Sequence, residues 1–377
     1  MAKDEQSLIE TKRKVTMRRT LLLLTALLMV GATAILVGPR EALILLLGLG
    51  IGVLFEGQGF GFAGPWRRLI VDRNPTAILA QLLSIGLVAT FALPLLNAAP
   101  QELIGAHAPV GFSMILGAFV FGAAMQIILG CGSGTLVNAG SGNLVAVVAL
   151  PFFALGSFFG AYHLLEWTSI GTLPVVTVSG LSGVIITWAG LISVSIVLLI
   201  YTGVSAFRIP LRLVSISFVL AMLALGHLVV AGQPWGVVYG LGLWAAKAAS
   251  FFGVSFEGSE FWSMKGQVER INQSLLTDVT SLTNIGLILG AFGVSAWRKG
   301  FFAGRAIVLP ARAWVSVIIA GLALGYSSRL AFGCNVGAFF SGISTGSLHG
   351  WVWMFMALGG SIIGIRLRPF LGIETQK

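Results

Sequence analysis

The chain has 377 residues, of which 56% are hydrophobic and only 10% charged, with a mean hydropathy of +0.96. Soluble globular domains carry roughly 25% charged residues, so this composition excludes an ordinary soluble fold and makes lipid the principal solvent. The formal charge of +10 does not point to nucleic acid either, because Lys and Arg are dispersed through loops between apolar runs rather than gathered on one face.

Backbone that crosses a bilayer must satisfy its own hydrogen bonds, as helices or as a closed barrel. The apolar runs here, of about 18 to 22 residues, fit helices rather than alternating barrel strands. The expected fold is an all-α polytopic membrane protein. In chain order, a basic arm (Lys12, Arg13, Lys14, Arg18, Arg19) precedes a run from Thr20 to Val37. Its length and the Gly38-Pro39-Arg40 exit favour an uncleaved first helix over a signal peptide. Further apolar stretches follow at 42–55, 75–96, 109–129, 144–166, 181–201, 212–231, 238–255, 276–297, 314–332 and 351–365, giving eleven candidates. Some are short or glycine-rich, as re-entrant half-helices are.

The basic arm and Arg67, Arg68 and Arg73 are expected to be cytoplasmic, and the loop near Glu102 outside. Eleven crossings would put Arg298, Lys299, Arg305, Arg366 and Arg368 outside as well, against that rule. One candidate therefore fails to cross, leaving about ten transmembrane helices plus short re-entrant helices, with both termini cytoplasmic. The sequence does not say which one fails.

Two motifs recur. Phe55-Glu56-Gly57 returns as Phe256-Glu257-Gly258 and Gly130-Cys131 as Gly333-Cys334, with Glu-to-Cys separations of 75 and 77 residues. Matched order and spacing predict a duplication, with two pseudo-symmetric halves at 41–205 and 206–377 preceded by an arm and extra helix at 1–40. Repeats of this kind in transporters place the substrate site where the halves meet.

The two cysteines, Cys131 and Cys334, lie far apart with no C-x-x-C and no zinc spacing. Each instead heads a glycine-rich segment after an apolar helix. The first contains Gly130, Gly132, Ser133 and Gly134, the second Gly333, Asn335 and Gly337. Glycine lets backbone approach a ligand closely, and a helix starting nearby aims its positive end at the same place. The loops are expected to be facing walls of one site. Buried cysteines are also common as inert, small apolar residues, and only the duplicated setting favours a role in binding.

These segments resemble the repeated Gly-Cys-x-x-Gly of the YeeE/YedE sulfur-transport family. The likeness runs from about residue 42 onward and takes in Ser347-Leu348-His349-Gly350-Trp351. The resemblance implies a bacterial inner-membrane importer of thiosulfate, or a closely related sulfur anion, through a narrow path lined by cysteine thiols. It also implies a cytoplasmic TusA-like sulfur-carrier protein as a partner that sometimes receives the product. Where many family members carry another cysteine between two aromatics, this chain reads Phe60-Gly61-Phe62, so Gly61 stands at that station.

Glu56 and Glu257 end apolar segments, where a carboxylate is costly and often functional; a structural ion pair explains them equally well. Arg329, shortly before Cys334, either draws an anion inward or snorkels to the interface, and Lys247 poses the same choice. His107, His163, His227 and His349 share no ligand spacing, so no metal, cofactor or catalytic residue is assigned. Gly48-Leu49-Gly50-Ile51-Gly52 reads as small-residue helix packing rather than a nucleotide loop. Three readings compete with a sulfur-anion transporter. A transporter of another sulfur or selenium species would share its thiols. A membrane-embedded thiol oxidoreductase would cycle the cysteines, and a membrane adaptor for a soluble sulfur-handling enzyme would bind a carrier without flux.

Overall fold

The computed structural model describes residues 2–203, 209–301 and 309–373, with side chains from residue 13 onward. Arg305 and the side chain of Lys12 lie outside the described residues. The first part runs α1 (Ala2–Leu36), α2 (Pro39–Gln58), α3 (Ala63–Asp72), α4 (Thr76–Ala98), α5 (Phe112–Ile128), α6 (Gly132–Gly140), α7 (Leu144–Tyr162), α8 (Leu164–Ser169) and α9 (Gly180–Thr202). The second runs α10 (Leu211–Ala231), α11 (Val238–Phe251), α12 (Lys265–Asn272), α13 (Val279–Lys299) and α14 (Ala311–Leu330). A π-helical turn (Asn335–Phe340) then leads into α15 (Ser341–Ser344) and α16 (Leu348–Leu367).

Ten helical segments among the described residues are long and apolar enough to cross a membrane. The eleventh candidate, 238–255, becomes α11, whose 14 residues reach only about 21 Å at 1.5 Å per residue, short of a hydrocarbon core of about 30 Å. Several of the basic residues also lie together. Arg18 donates to the carbonyl of Trp297, Arg212 to that of Gln58 and Arg298 to that of Gly57, while Arg73 lies over the Tyr201 ring. The ends of α2, α9 and α13 and the start of α10 therefore share one basic end of the bundle with the N-terminal arm. The start of α14 and the chain after α16 are likewise adjacent, since a side chain at Gly372 would meet Arg312.

Most of the strength of a membrane bundle comes from close backbone packing, because lipid is as apolar as Leu. The most extensive pairs are α7 with α14, α2 with α13 and α5 with α16. Small residues hold each seam. A Cβ added at Gly48 would lie 2.7 Å from the Thr283 carbonyl oxygen, and one at Gly321 2.8 Å from that of Ala149. Gly122, Gly360 and Gly364 bring α5 and α16 equally near. Outward faces are apolar, as on α9, where Leu181, Ile185, Ile192, Ile196 and Ile200 are exposed.

Candidate functional site

Two long helices break at the same depth of the sequence motif. Helix α5 ends at Leu129, whose φ of 53° is left-handed, and Gly130 then leads to Cys131 at the head of α6. Helix α14 is followed by Phe332, with φ of 55°, then Gly333 and Cys334 at the head of the π-helical turn. An L-residue in this region costs roughly 1–2 kcal/mol. Besides these two, only Arg73 among the described non-glycine residues adopts a positive φ. Gly333 itself (φ 150°) has no room for a side chain, since a Cβ would lie 2.7 Å from the Ala338 nitrogen. The Gly-Cys recurrence is thus a recurrence of backbone shape. The Phe-Glu-Gly recurrence is not: Glu56 sits in the last turn of α2, whereas Glu257 lies in the exposed loop between α11 and α12.

The two turns meet. A Cβ on Gly132 would lie 2.8 Å from Cys334 Sγ and 3.2 Å from its Cβ. Both cysteines are free thiols and both are fully buried. Cys131 also caps its helix: the Gly134 amide donates to Sγ at 3.3 Å, and the Ser133 hydroxyl lies 3.4 Å from it. The Thr135 hydroxyl donates to the Cys131 carbonyl at 2.8 Å, which closes the turn.

Beside Cys334, Asn335 is fully buried, and neither Nδ2 nor Oδ1 has a partner. A buried unsatisfied amide costs about 1–3 kcal/mol, so this position is unfavourable for the resting protein alone. A cavity of about 190 Å³ opens on the same cysteine, lined by Tyr239, Thr280, Arg329, Gly333 and Gly337 among others. At Gly337 an added Cβ would meet nothing within 4 Å, so the space reaches the backbone.

Aromatic rings close around the turns. Phe62 packs on Phe340 with centroids 6.1 Å apart, Trp66 on Phe339 at 5.6 Å, Trp235 on Phe340 at 5.9 Å and Trp66 on Trp353 at 6.1 Å. Gly61 lies in this layer. Its carbonyl accepts from Gln81 Nε2 at 2.8 Å, and a Cβ there would meet nothing within 4 Å.

The structure therefore gathers Gly130, Cys131, Gly132, Ser133, Gly134, Gly333, Cys334, Asn335 and Gly337 around one point, with Gly61 behind the neighbouring rings. It does not bring the carboxylates there. Glu56 lies near Arg298 and Lys299 at the basic end. Lys247 is used structurally, its Nζ donating to the carbonyls of Ile271, in the last turn of α12, and of Gln273 just after it. Tyr239 and Trp235 escape sequence reasoning, since each is one aromatic among many. A thiol is a weak, soft donor and acceptor, and an unpaired amide offers both polarities. Together they offer weak contacts of both polarities to a small polar guest.

The sulphur-transport profile matches residues 58–363. The chain is 28% identical over 152 residues to the "Probable transporter YedE" of Escherichia coli strain K12, covering 39% of this chain and 36% of that protein. The Salmonella typhimurium protein of the same name is 27% identical over the same length and shares. The chain thus spans about a third of the length of these two relatives. To the "Thiosulfate transporter TsuA" of Spirochaeta thermophila it is 25% identical over 344 residues, covering 84% of this chain and 95% of that protein.

Proposed function

The chain belongs to the sulphur-transport family, and from that premise we propose that it imports thiosulfate, or a closely related sulfur anion, through a path that narrows at Cys131 and Cys334. The observation that carries this reading is the meeting of two buried thiols across Gly132, with an open cavity on one side of the pair. The anion slides its terminal sulfur past the two thiols, each making a weak S–H to sulfur contact, while the glycine-bounded backbone keeps the passage narrow. Weak contacts suit the task, because conduction needs binding favourable enough for capture and loose enough for release. Asn335 supplies the polar contact the oxygens lose on leaving water.

In this proposal each half, 41–205 and 206–377, contributes one cysteine turn. The basic end faces the cytoplasm of an inner membrane by the positive-inside rule. A TusA-like carrier would take the sulfur there.

Proteoliposomes loaded with purified protein and offered labelled thiosulfate, sulfite, sulfide, selenite and sulfate test the reading. Thiosulfate uptake is expected, and Cys131→Ala and Cys334→Ala proteins of equal reconstitution are expected to lose at least about tenfold. Wild-type uptake by both variants would end the thiol mechanism. Preference for selenite would move the substrate to a neighbouring chemistry, and redox-dependent mobility on non-reducing gels without flux would favour the oxidoreductase.

A further inference from the structure

Arg329 lines the same cavity as Cys334. Its guanidinium pairs with no carboxylate among the described residues. It is held instead between two rings, 5.6 Å from the Tyr239 centroid and 5.1 Å from that of Phe261. Its Nε is buried with no hydrogen-bond partner. Arg270, in the last turn of α12, lies 5.3 Å from the same centroid. The tyrosine hydroxyl is spent on Gln267 at 2.6 Å, which fixes the ring that both cations address.

Aromatic faces orient a cation without neutralising it. A carboxylate in their place would cancel the field that an incoming anion feels. Snorkelling explains a long basic side chain whose head reaches water, but not a buried Nε left without a hydrogen-bond partner. The cavity of about 190 Å³ far exceeds the ~10–15 Å³ that one water requires, which leaves room for a five-atom tetrahedral anion.

We propose that Arg329, clamped by Tyr239 and Phe261, is a specificity-determining anion site in the vestibule before the cysteines, selecting tetrahedral oxyanions by their oxygens. This rests on the reading that the path runs past Cys334. The guanidinium fork grips the oxygen face of the anion and leaves its fourth substituent directed toward Cys334. Planar paired donors recognise oxyanions better than a point charge does. The vestibule therefore reads charge and oxygens, whereas the thiols read the terminal sulfur. Sulfate satisfies the first filter and fails the second, so it occupies the vestibule without crossing. Hydrosulfide has no oxygens and ignores the first.

The test uses full-length protein in two assays. In proteoliposomes, sulfate should compete with labelled thiosulfate in the wild type, and hydrosulfide should not compete through this site. Arg329→Gln should raise the apparent KM for thiosulfate at least about tenfold and abolish sulfate competition, with Arg329→Lys in between. In detergent, sulfate should raise the melting temperature of wild type, less that of Arg329→Lys, and not that of Arg329→Gln. An Arg329→Gln protein with wild-type KM and wild-type sulfate competition overturns the proposal while leaving transport intact. If wild type carries no thiosulfate, the functional reading fails, and the sulfate melting shift alone decides the site: lost with Arg329 it stands, unchanged it falls. Should Arg329→Gln not fold, Arg329→Lys with unaltered KM and melting shift overturns it equally.

Discussion

The sulfur of Cys334 occupies the space that a side chain on Gly132 would need: a Cβ there would lie 2.8 Å from Sγ. One turn is thus cut to fit the other, and the width of the contact is set by a missing methyl group.

Gly132→Ala tests this fit. The added carbon must push Cys334 aside, and overpacking of this sort costs about 1–3 kcal/mol. Lower melting temperature and at least severalfold slower thiosulfate uptake are expected. Combining it with Cys334→Ala removes the Sγ collision and leaves only the 3.2 Å approach to Cβ, so the double variant should melt higher than the sum of the two single losses requires. Strict additivity would show that the residues are not in contact.

Cys131 caps α6 directly beside Gly132, the residue that meets Cys334, and two substitutions separate its capping from its proposed role in passage. Serine keeps an acceptor for the Gly134 amide, which now donates to sulfur at 3.3 Å; alanine does not. Loss of a helix cap costs about 1 kcal/mol. Cys131→Ala should therefore melt below Cys131→Ser, whereas uptake should fall in both. Equal melting curves would count against the capping bond.

Asn335 has two buried amide atoms and no partner for either. Replacing it by leucine, of similar size, removes an unpaired polar group worth about 1–3 kcal/mol. Asn335→Leu is expected to be the more stable protein and the poorer transporter, in paired melting and uptake measurements. A variant that gained stability and kept full uptake would leave the amide without a role in passage.

Gly61 offers a gain rather than a loss. Nothing lies within 4 Å of a Cβ built there, so Gly61→Cys should fold like wild type. A third thiol beside the aromatic layer should leave thiosulfate uptake equal or faster, as measured by initial rates. A marked drop in rate with unchanged melting would place that station outside the path.

Hydropathy alone located the long helices, because each spanning segment must be continuously apolar and most are bounded by charged residues, glycine or proline. It could not separate 238–255 from the rest, since that segment is as apolar as its neighbours and differs only in where its helix stops, at Phe251. The short helices α3 and α6 and the π-helical turn escaped for the opposite reason: their glycines and serines carry no periodicity. The cysteine turns were legible as chemistry but not as shape. A left-handed Leu129 and Phe332 look like ordinary apolar residues, and only the glycine that follows each hints at a reversal. Glu56 and Glu257 misled because identical tripeptides occur in unlike settings, one closing a helix and one in open loop. Arg329 was visible as an isolated charge, and the two rings that hold it come from α11 and from the loop after it, which no local pattern connects.

The glycine-held seams carry a mechanical consequence. Where Gly48 meets the Thr283 backbone and Gly321 that of Ala149, neighbouring helices interlock at main-chain distance and have little slack for sliding or rocking. On the proposed transport path, yielding for a passing anion is then expected in the few atoms of the two reversals, with the seams acting as a stiff die around them.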